Sequence, residues 1–155
     1  MEHENKMVST DYLPEELYTI ECCAAQNGTY VAHIRGEFCP TVEDFYREIS
    51  SAMRFPYYFG WNWAAFDECI CDLEWLKSTS LLIVIDNQDK LFSHEKSVKE
   101  NRSLLIKYLN IAIQYWTSEG VPISIYLNQS RKNRPRTWEE LTKHLIKLRD
   151  SLMKK

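Results

Sequence analysis

Phe55-Pro56-Tyr57-Tyr58-Phe59-Gly60-Trp61-Asn62-Trp63-Ala64-Ala65-Phe66-Asp67-Glu68-Cys69-Ile70 is an aromatic loop, punctuated by Pro56 and Gly60, that runs directly into a helical pattern. At about 100° per residue, side chains three and four positions apart share a helix face. Phe66, Cys69, Ile70 and Leu73 therefore make an apolar stripe of the kind a helix lays on a core. The opposite side collects Trp61, Ala64, Glu68, Cys71, Asp72 and Trp75, with Asp67 at its margin. Between Phe55 and Leu76 stand four carboxylates, Asp67, Glu68, Asp72 and Glu74, and no Lys or Arg. Aromatics rimmed by one sign of charge are typical of protein interfaces, so this face reads as a grip for a basic macromolecule. Spacing alone leaves a second reading open, in which Trp61, Trp63 and Trp75 complete a core under the loop and the carboxylates are simply solvated.

Outward from this stretch the pattern alternates between helix and strand. Upstream, Thr41 opens a helix whose buried stripe is Val42, Phe45, Ile49 and Met53. Further back, Tyr18–Cys23 and Tyr30–Arg35 are β-prone runs on either side of Asn27-Gly28, a strong hairpin signal, and predict an added strand paired with Tyr30–Arg35. Downstream, the helix from Asn62 to Glu74 is followed by Leu81–Asp86, whose nearly continuous apolar character predicts a strand covered on both faces. A helix from Arg102 to Ser118 carries Leu105, Leu109, Ala112 and Trp116, stops at Gly120, and feeds a strand over Ile123–Leu127. The expectation is an α/β fold with a small three-stranded parallel sheet flanked by helices, an added N-terminal strand and a C-terminal helix.

Ile34-Arg35-Gly36-Glu37, Phe55 to Trp63, Cys69 and Asp72-Leu73-Glu74-Trp75-Leu76 resemble the barstar family of ribonuclease inhibitors. The match runs without a gap from Ile34 to Cys71 and continues through Leu81–Ile85 and Glu119-Gly120-Val121-Pro122-Ile123-Ser124-Ile125-Tyr126-Leu127. The resemblance implies that the aromatic loop and the following helix plug a nuclease cleft, with a carboxylate standing where a substrate phosphate would lie. By position Glu68 is that carboxylate. A carboxylate suits the role because guanidinium groups present two parallel N–H donors to its oxygens. Tyr58, Phe59, Gly60, Asn62, Trp63 and Asp67 fall at other contact positions of the family, and Glu119 at a further acidic one. Trp61 and Asp72 join this candidate site from the helical spacing. The chain departs from the family pattern in three places: Glu68 is one methylene longer than the usual Asp, Ala64 stands where a second acid is usual, and Asp67 replaces an aromatic. The cognate nuclease is therefore expected to differ from the family prototype's. Local roles stand beside these: Asn62 as a helix N-cap, Gly60 for its backbone, Trp63 and Cys69 as core.

Composition fits a binding domain. The 155 residues are 45% apolar with few Gly and Pro, enough for one domain with a real core. Five cysteines, no secretory signal pattern and no apolar run longer than Leu81–Ile85 predict a cytoplasmic protein without membrane spans. Neither the cysteines nor His3, His33, His94 and His144 have metal-ligand spacing, so no metal and no cofactor is expected. The carboxylate cluster comes without a Ser, His or metal motif, which argues against an enzyme.

Charge divides the chain. Nine Lys or Arg and three Asp or Glu lie between Arg131 and Lys155, a surplus of +6, so the net charge of −3 leaves −9 on residues 1–130. An acidic body accelerates capture of a cationic partner, and nucleases are cationic where they hold phosphate. Arg131-Lys132-Asn133-Arg134-Pro135-Arg136 is a basic linker without interleaved aromatics, so direct nucleic-acid binding is not expected. Thr137-Trp138-Glu139-Glu140 opens a helix with a Thr-x-x-Glu capping box, and Trp138, Leu141, Leu145, Leu148 and Leu152 form one seam that either packs back on the body or makes a small oligomer contact; barely two heptads is short for a coiled coil, so docking on the body is expected. The organisation read from sequence is a flexible segment 1–16, a barstar-like domain 17–128, and a linker plus helix over 129–155. The expected function is that of a bacterial immunity protein, a monomer that blocks a basic ribonuclease toxin in a toxin–antitoxin pair. The alternative is a barstar-like scaffold that binds a non-ribonuclease toxin or serves as a regulatory adaptor.

Overall fold

The structure, a computed structural model, describes residues 4–129 and 137–154; the basic linker expected over Arg131–Arg136 lies outside them. The elements in chain order are β1 (Lys6–Thr10), α1 (Pro14–Gln26), β2 (Tyr30–Arg35), α2 (Val42–Ala52), α3 (Trp63–Ile70), β3 (Leu81–Asp86), α4 (Val98–Ser118), β4 (Ile123–Asn128) and α5 (Trp138–Met153). The four strands form one sheet in the order β1-β4-β3-β2, every pair parallel.

Crossover handedness explains which helix covers which face. Parallel strands are joined by right-handed crossovers, so reversing the direction of travel across a sheet moves the connecting helix to the other face. The chain passes from β1 at one edge to β2 at the other and then returns through β3 to β4. Accordingly, one face of the sheet packs Ile34, Ile83, Ile85 and Ile125 against Phe45, Ile49, Phe66, Ile70, Leu105 and Leu109 of α2, α3 and α4. The other face packs Leu82 and Val84 against Leu17 and Ile20 of α1, with Leu148 and Leu152 of α5 alongside. The period of two along β3 thus divides a continuous apolar run between two cores.

The N-terminal region corrects the sequence reading. Tyr18–Cys23, expected as a strand, lies within α1, where Leu13, Leu17, Ile20 and Ala24 recur at helical spacing. Pro14 opens the helix, and the Glu16 carboxylate accepts from the Leu13 backbone N–H at 3.2 Å. Asn27-Gly28 ends that helix instead of making a hairpin: Gly28 takes φ +82°, its N–H reaches the Ala25 carbonyl, and Thr29 N–H reaches that of Ala24. The added strand is Lys6–Thr10, in the stretch expected to be flexible, and it pairs with β4 on the far edge instead of with β2. Buried Asn128 fixes it there. Its Oδ1 accepts from Thr10 Oγ1 at 2.7 Å and Tyr12 N at 2.8 Å, and its Nδ2 donates to the Tyr12 carbonyl and Asp86 Oδ1.

Two positions make testable demands on stability. Gly36 leaves β2 directly across the end of β3, where a Cβ would come within 3.0 Å of the Asn87 carbonyl carbon and closer still to the backbone oxygens of Asp86 and Asn87. Backbone cannot yield as a side-chain tip can, so Gly36→Ala is expected to cost about 1–3 kcal/mol in urea denaturation. His33 on β2 hydrogen-bonds Glu21 of α1 through Nδ1, with Asp86 3.9 Å from Nε2. The Glu21 bond raises its pKa despite opposing desolvation, and the nearby carboxylates add to the effect. Because the folded value is raised, this contribution to stability is complete below pH 6.5 and disappears as the pH rises through the folded pKa. Urea midpoints measured across that window should fall for the wild type more than for His33→Gln.

The C-terminal helix docks on its own chain, with one exception along the seam. Thr137 caps it, its Oγ1 accepting from Glu140 N at 3.1 Å. Leu141 is buried, and Leu145, Leu148 and Leu152 are half-buried, while Trp138 points away from the body. His144 Nε2 meets buried Glu16 Oε2 at 3.2 Å and ties α5 to α1.

Candidate functional site

The aromatic loop is built by sorting its rings between inside and outside. Phe55 N–H closes the end of α2 on the Ser50 carbonyl, and Phe59 N–H turns back to the Pro56 carbonyl at 3.0 Å. These turns aim Phe55 and Phe59 inward, where their ring centroids lie 5.1 Å apart and Phe59 meets Tyr46 at 5.8 Å. Tyr57, Tyr58 and Trp61 are left exposed. Trp61 sits in the left-handed region at φ +54°, an unfavourable conformation for a residue with a Cβ, and its indole rests against Phe59 at 5.5 Å.

Gly60 and Asn62 join loop to helix. A Cβ on Gly60 would lie 3.2 Å from Asn62 Nδ2 and 3.3 Å from the Ala65 Cβ, so the first turn of α3 packs directly on the glycine. Asn62 is the N-cap: Oδ1 accepts from Ala65 N at 2.9 Å, while Nδ2 donates to the Gly60 carbonyl at 2.9 Å. Trp63 turns into the core. Its ring stacks on Tyr108 at 5.9 Å and meets Phe45, Tyr46, Phe66 and Phe92.

Helix α3 ends at Ile70, earlier than the expected Glu74, because its last carbonyls and the following chain are recruited elsewhere. Trp116 Nε1 of α4 donates to the Ile70 carbonyl at 2.9 Å, and Leu73 turns into the left-handed region at φ +52°. Trp75, expected on the outer face, is swung back: its Nε1 donates to the Met53 carbonyl at 2.9 Å and its ring meets Phe55. Glu74 is exposed beside it.

The outcome is an acidic face with phenols set into it. Desolvation raises the Tyr58 pKa first, and then the charges of Asp72, Glu68 and Glu74 raise it further. Tyr115, in the last turn of α4, is raised by desolvation and then by Glu119, Asp72 and Glu74 among its neighbours. Asp72 and Glu74 thus act on both phenols and link the α3 carboxylates to Glu119, the C-cap of α4. Among the described residues, none of Glu68, Asp72, Glu74 and Glu119 has a cation within salt-bridge distance. This local excess of negative charge is open to a partner.

The structure therefore brings together Tyr58, Glu68, Asp72 and Glu119 from the sequence-based set, while Trp61 stands exposed in the loop with its ring against Phe59. Phe59 and Trp63 are turned inward, Gly60 and Asn62 act through the backbone, and half-buried Asp67 lies 4.0 Å from Cys71 Sγ. Tyr115 was not foreseen; it reaches the face where the Trp116–Ile70 hydrogen bond ties the end of α4 to the end of α3. The thiols are not activated. Burial pushes Cys71 up to about 11 with help from Asp67, and burial followed by Glu68 and Asp72 raises Cys69. Among the described residues, no three His, Cys, Asp or Glu side chains converge to hold a metal ion, and no helix is long and apolar enough to cross a membrane.

A family model described as Barstar (barnase inhibitor) matches residues 29–128. No curated protein matches the chain.

Proposed function

The chain belongs to the barstar (barnase inhibitor) family, and from that membership we propose that it is an intracellular immunity protein, blocking a cationic ribonuclease toxin with the face formed by the Tyr57–Trp61 loop and α3. The carrying observation is that Tyr58 lies among Asp72, Glu68 and Glu74, and Tyr115 among Glu119, Asp72 and Glu74, on a face where, among the described residues, no cation pairs with these carboxylates. An RNA-cleaving enzyme must present Arg and Lys to phosphate, and a fixed array of carboxylates competes for the same groups. Glu68, on the exposed side of α3, is the carboxylate assigned to the phosphate position. The exposed rings supply apolar area around it, which is where interfaces concentrate binding energy. The strained Trp61 backbone fits this reading: a left-handed tryptophan is retained at an energetic cost where its outward aim serves a contact.

The chain acts here by occupancy, with no bond made or broken by its own residues. To test the reading, wild type and Glu68→Lys are immobilised side by side and exposed to lysate and secreted proteins of the source organism. A basic ribonuclease retained by the wild type alone is the expected result. Retention of one and the same non-nuclease partner by both proteins would contradict the proposal.

A further inference from the structure

We propose that His33 is a pH-operated latch: protonated, it bridges α1 to β3, and loss of the proton lets α1 open locally from the sheet. Its two ring nitrogens both face carboxylates. Nδ1 hydrogen-bonds Glu21 of α1, and Nε2 lies 3.9 Å from Asp86 Oδ2 of β3. An imidazolium presents an N–H to each side, whereas a neutral ring that keeps the Glu21 bond turns a lone pair toward Asp86. A third carboxylate, Glu48 of α2, also acts on the ring, but it is held by Arg35 at the end of β2 through hydrogen bonds of 2.6 and 3.2 Å. Among the described residues, no other cation pairs with Glu21 or Asp86. The imidazole and both carboxylates are partly buried, so salt screens them less than it would surface ions.

The contact continues along the C-terminal edge of the sheet. Asp86 Oδ1 accepts from Asn128 Nδ2, and Asn128 in turn holds Thr10 and Tyr12, which lead from β1 into α1. One polar chain therefore fastens the N-terminal unit at both ends, and His33 is the link in it whose charge changes near neutral pH. The layer it fastens is the thinner of the two: α1 meets Leu82 and Val84 through Leu17 and Ile20, while three helices cover the other face. Local openings begin in such lightly packed elements. The Glu21 hydrogen bond raises the His33 pKa against desolvation, and the charges of Glu21, Asp86 and Glu48 add to it. The latch is thus fully closed below pH 6.5 and is lost as the pH rises through the folded value. His144 of α5, which meets Glu16 near the start of α1, is a second titrating contact on this helix. None of these residues belongs to the candidate binding face, so the latch stands or falls independently of the inhibitor proposal.

Native-state hydrogen exchange on the full chain, followed by NMR from about pH 6 to about pH 9 and corrected for the intrinsic rate, tests it. Amides of residues 17–23 should exchange through an opening less sensitive to urea than that of the β3 amides, because it exposes less surface. Their opening constant should rise with pH and then level off. The total rise should equal ten raised to the difference between the His33 pKa, read from its imidazole resonances, and its ordinary value of 6.5. The rise should vanish in His33→Gln and shrink in Glu21→Gln, which keeps the side-chain shape and removes the charge. Exchange of the α1 amides only together with those of β3, or an opening constant that is flat across the window, overturns the proposal. A rise that survives His33→Gln and disappears in His144→Gln overturns it as well, by assigning the effect to the α5 contact.

Discussion

Replacing Glu68 by Gln is expected to weaken the complex with the cognate ribonuclease by about 2–5 kcal/mol, a range carried over from close charge pairs that include the barnase–barstar complex of this same family. The substitution keeps the shape of the side chain and removes only its charge. Glu68 is exposed and, among the described residues, has no ion pair, so folding stability should change by no more than about 0.5 kcal/mol. The loss therefore belongs to binding, where an Arg or Lys of the partner would remain desolvated and unpaired. Calorimetric titration of the wild type and variant gives the difference, and a loss within experimental error would remove Glu68 from the interface.

Trp63→Ala should have an effect of similar size on a different quantity. Its ring bridges Tyr108 of α4 to Phe45 and Tyr46 of α2 and to Phe66 of α3. Truncation opens a cavity among groups that cannot all collapse into it, and the expected cost in urea denaturation is about 3–5 kcal/mol. Trp63→Phe retains a ring and should cost less. If Trp63 serves the site only by positioning α3, the Phe variant should bind the partner nearly as tightly as the wild type. A large loss of affinity in a stable Trp63→Phe protein would instead make it a direct contact.

These two residues show what could and could not be read from the sequence. Glu68 and Trp63 are near neighbours in one motif, and the family resemblance offers both as contacts. The geometry separates them, since Trp63 opens α3 on its inner side while Glu68 falls on the outer face. Helical periodicity was reliable wherever one rule acted alone: Phe66, Cys69 and Ile70 are buried as their spacing implies, and β3 and β4 lie where their apolar runs placed them. It failed where two local signals competed. In Tyr18–Cys23 the β-prone residues and the following Asn27-Gly28 suggested a hairpin, yet Leu13, Leu17 and Ile20 had a sheet face to cover and the helix prevailed. Strand β1 was not legible, because Lys6–Thr10 is short and largely polar and its partner β4 lies at the other end of the chain. Tyr115 was hidden for a related reason. Long-range contacts between α3 and α4, the Trp63–Tyr108 stack and the Trp116–Ile70 hydrogen bond among them, place it beside Asp72 and Glu74.

The inhibitor account is tested most directly by titrating the chain into RNA hydrolysis catalysed by the basic ribonuclease that the wild-type protein retains. The account requires hydrolysis to fall linearly to zero at one equivalent of wild type and to persist with Glu68→Lys. Hydrolysis that continues with bound wild-type protein in excess, or that responds equally to both, would contradict a mechanism in which this acidic face fills the nuclease cleft.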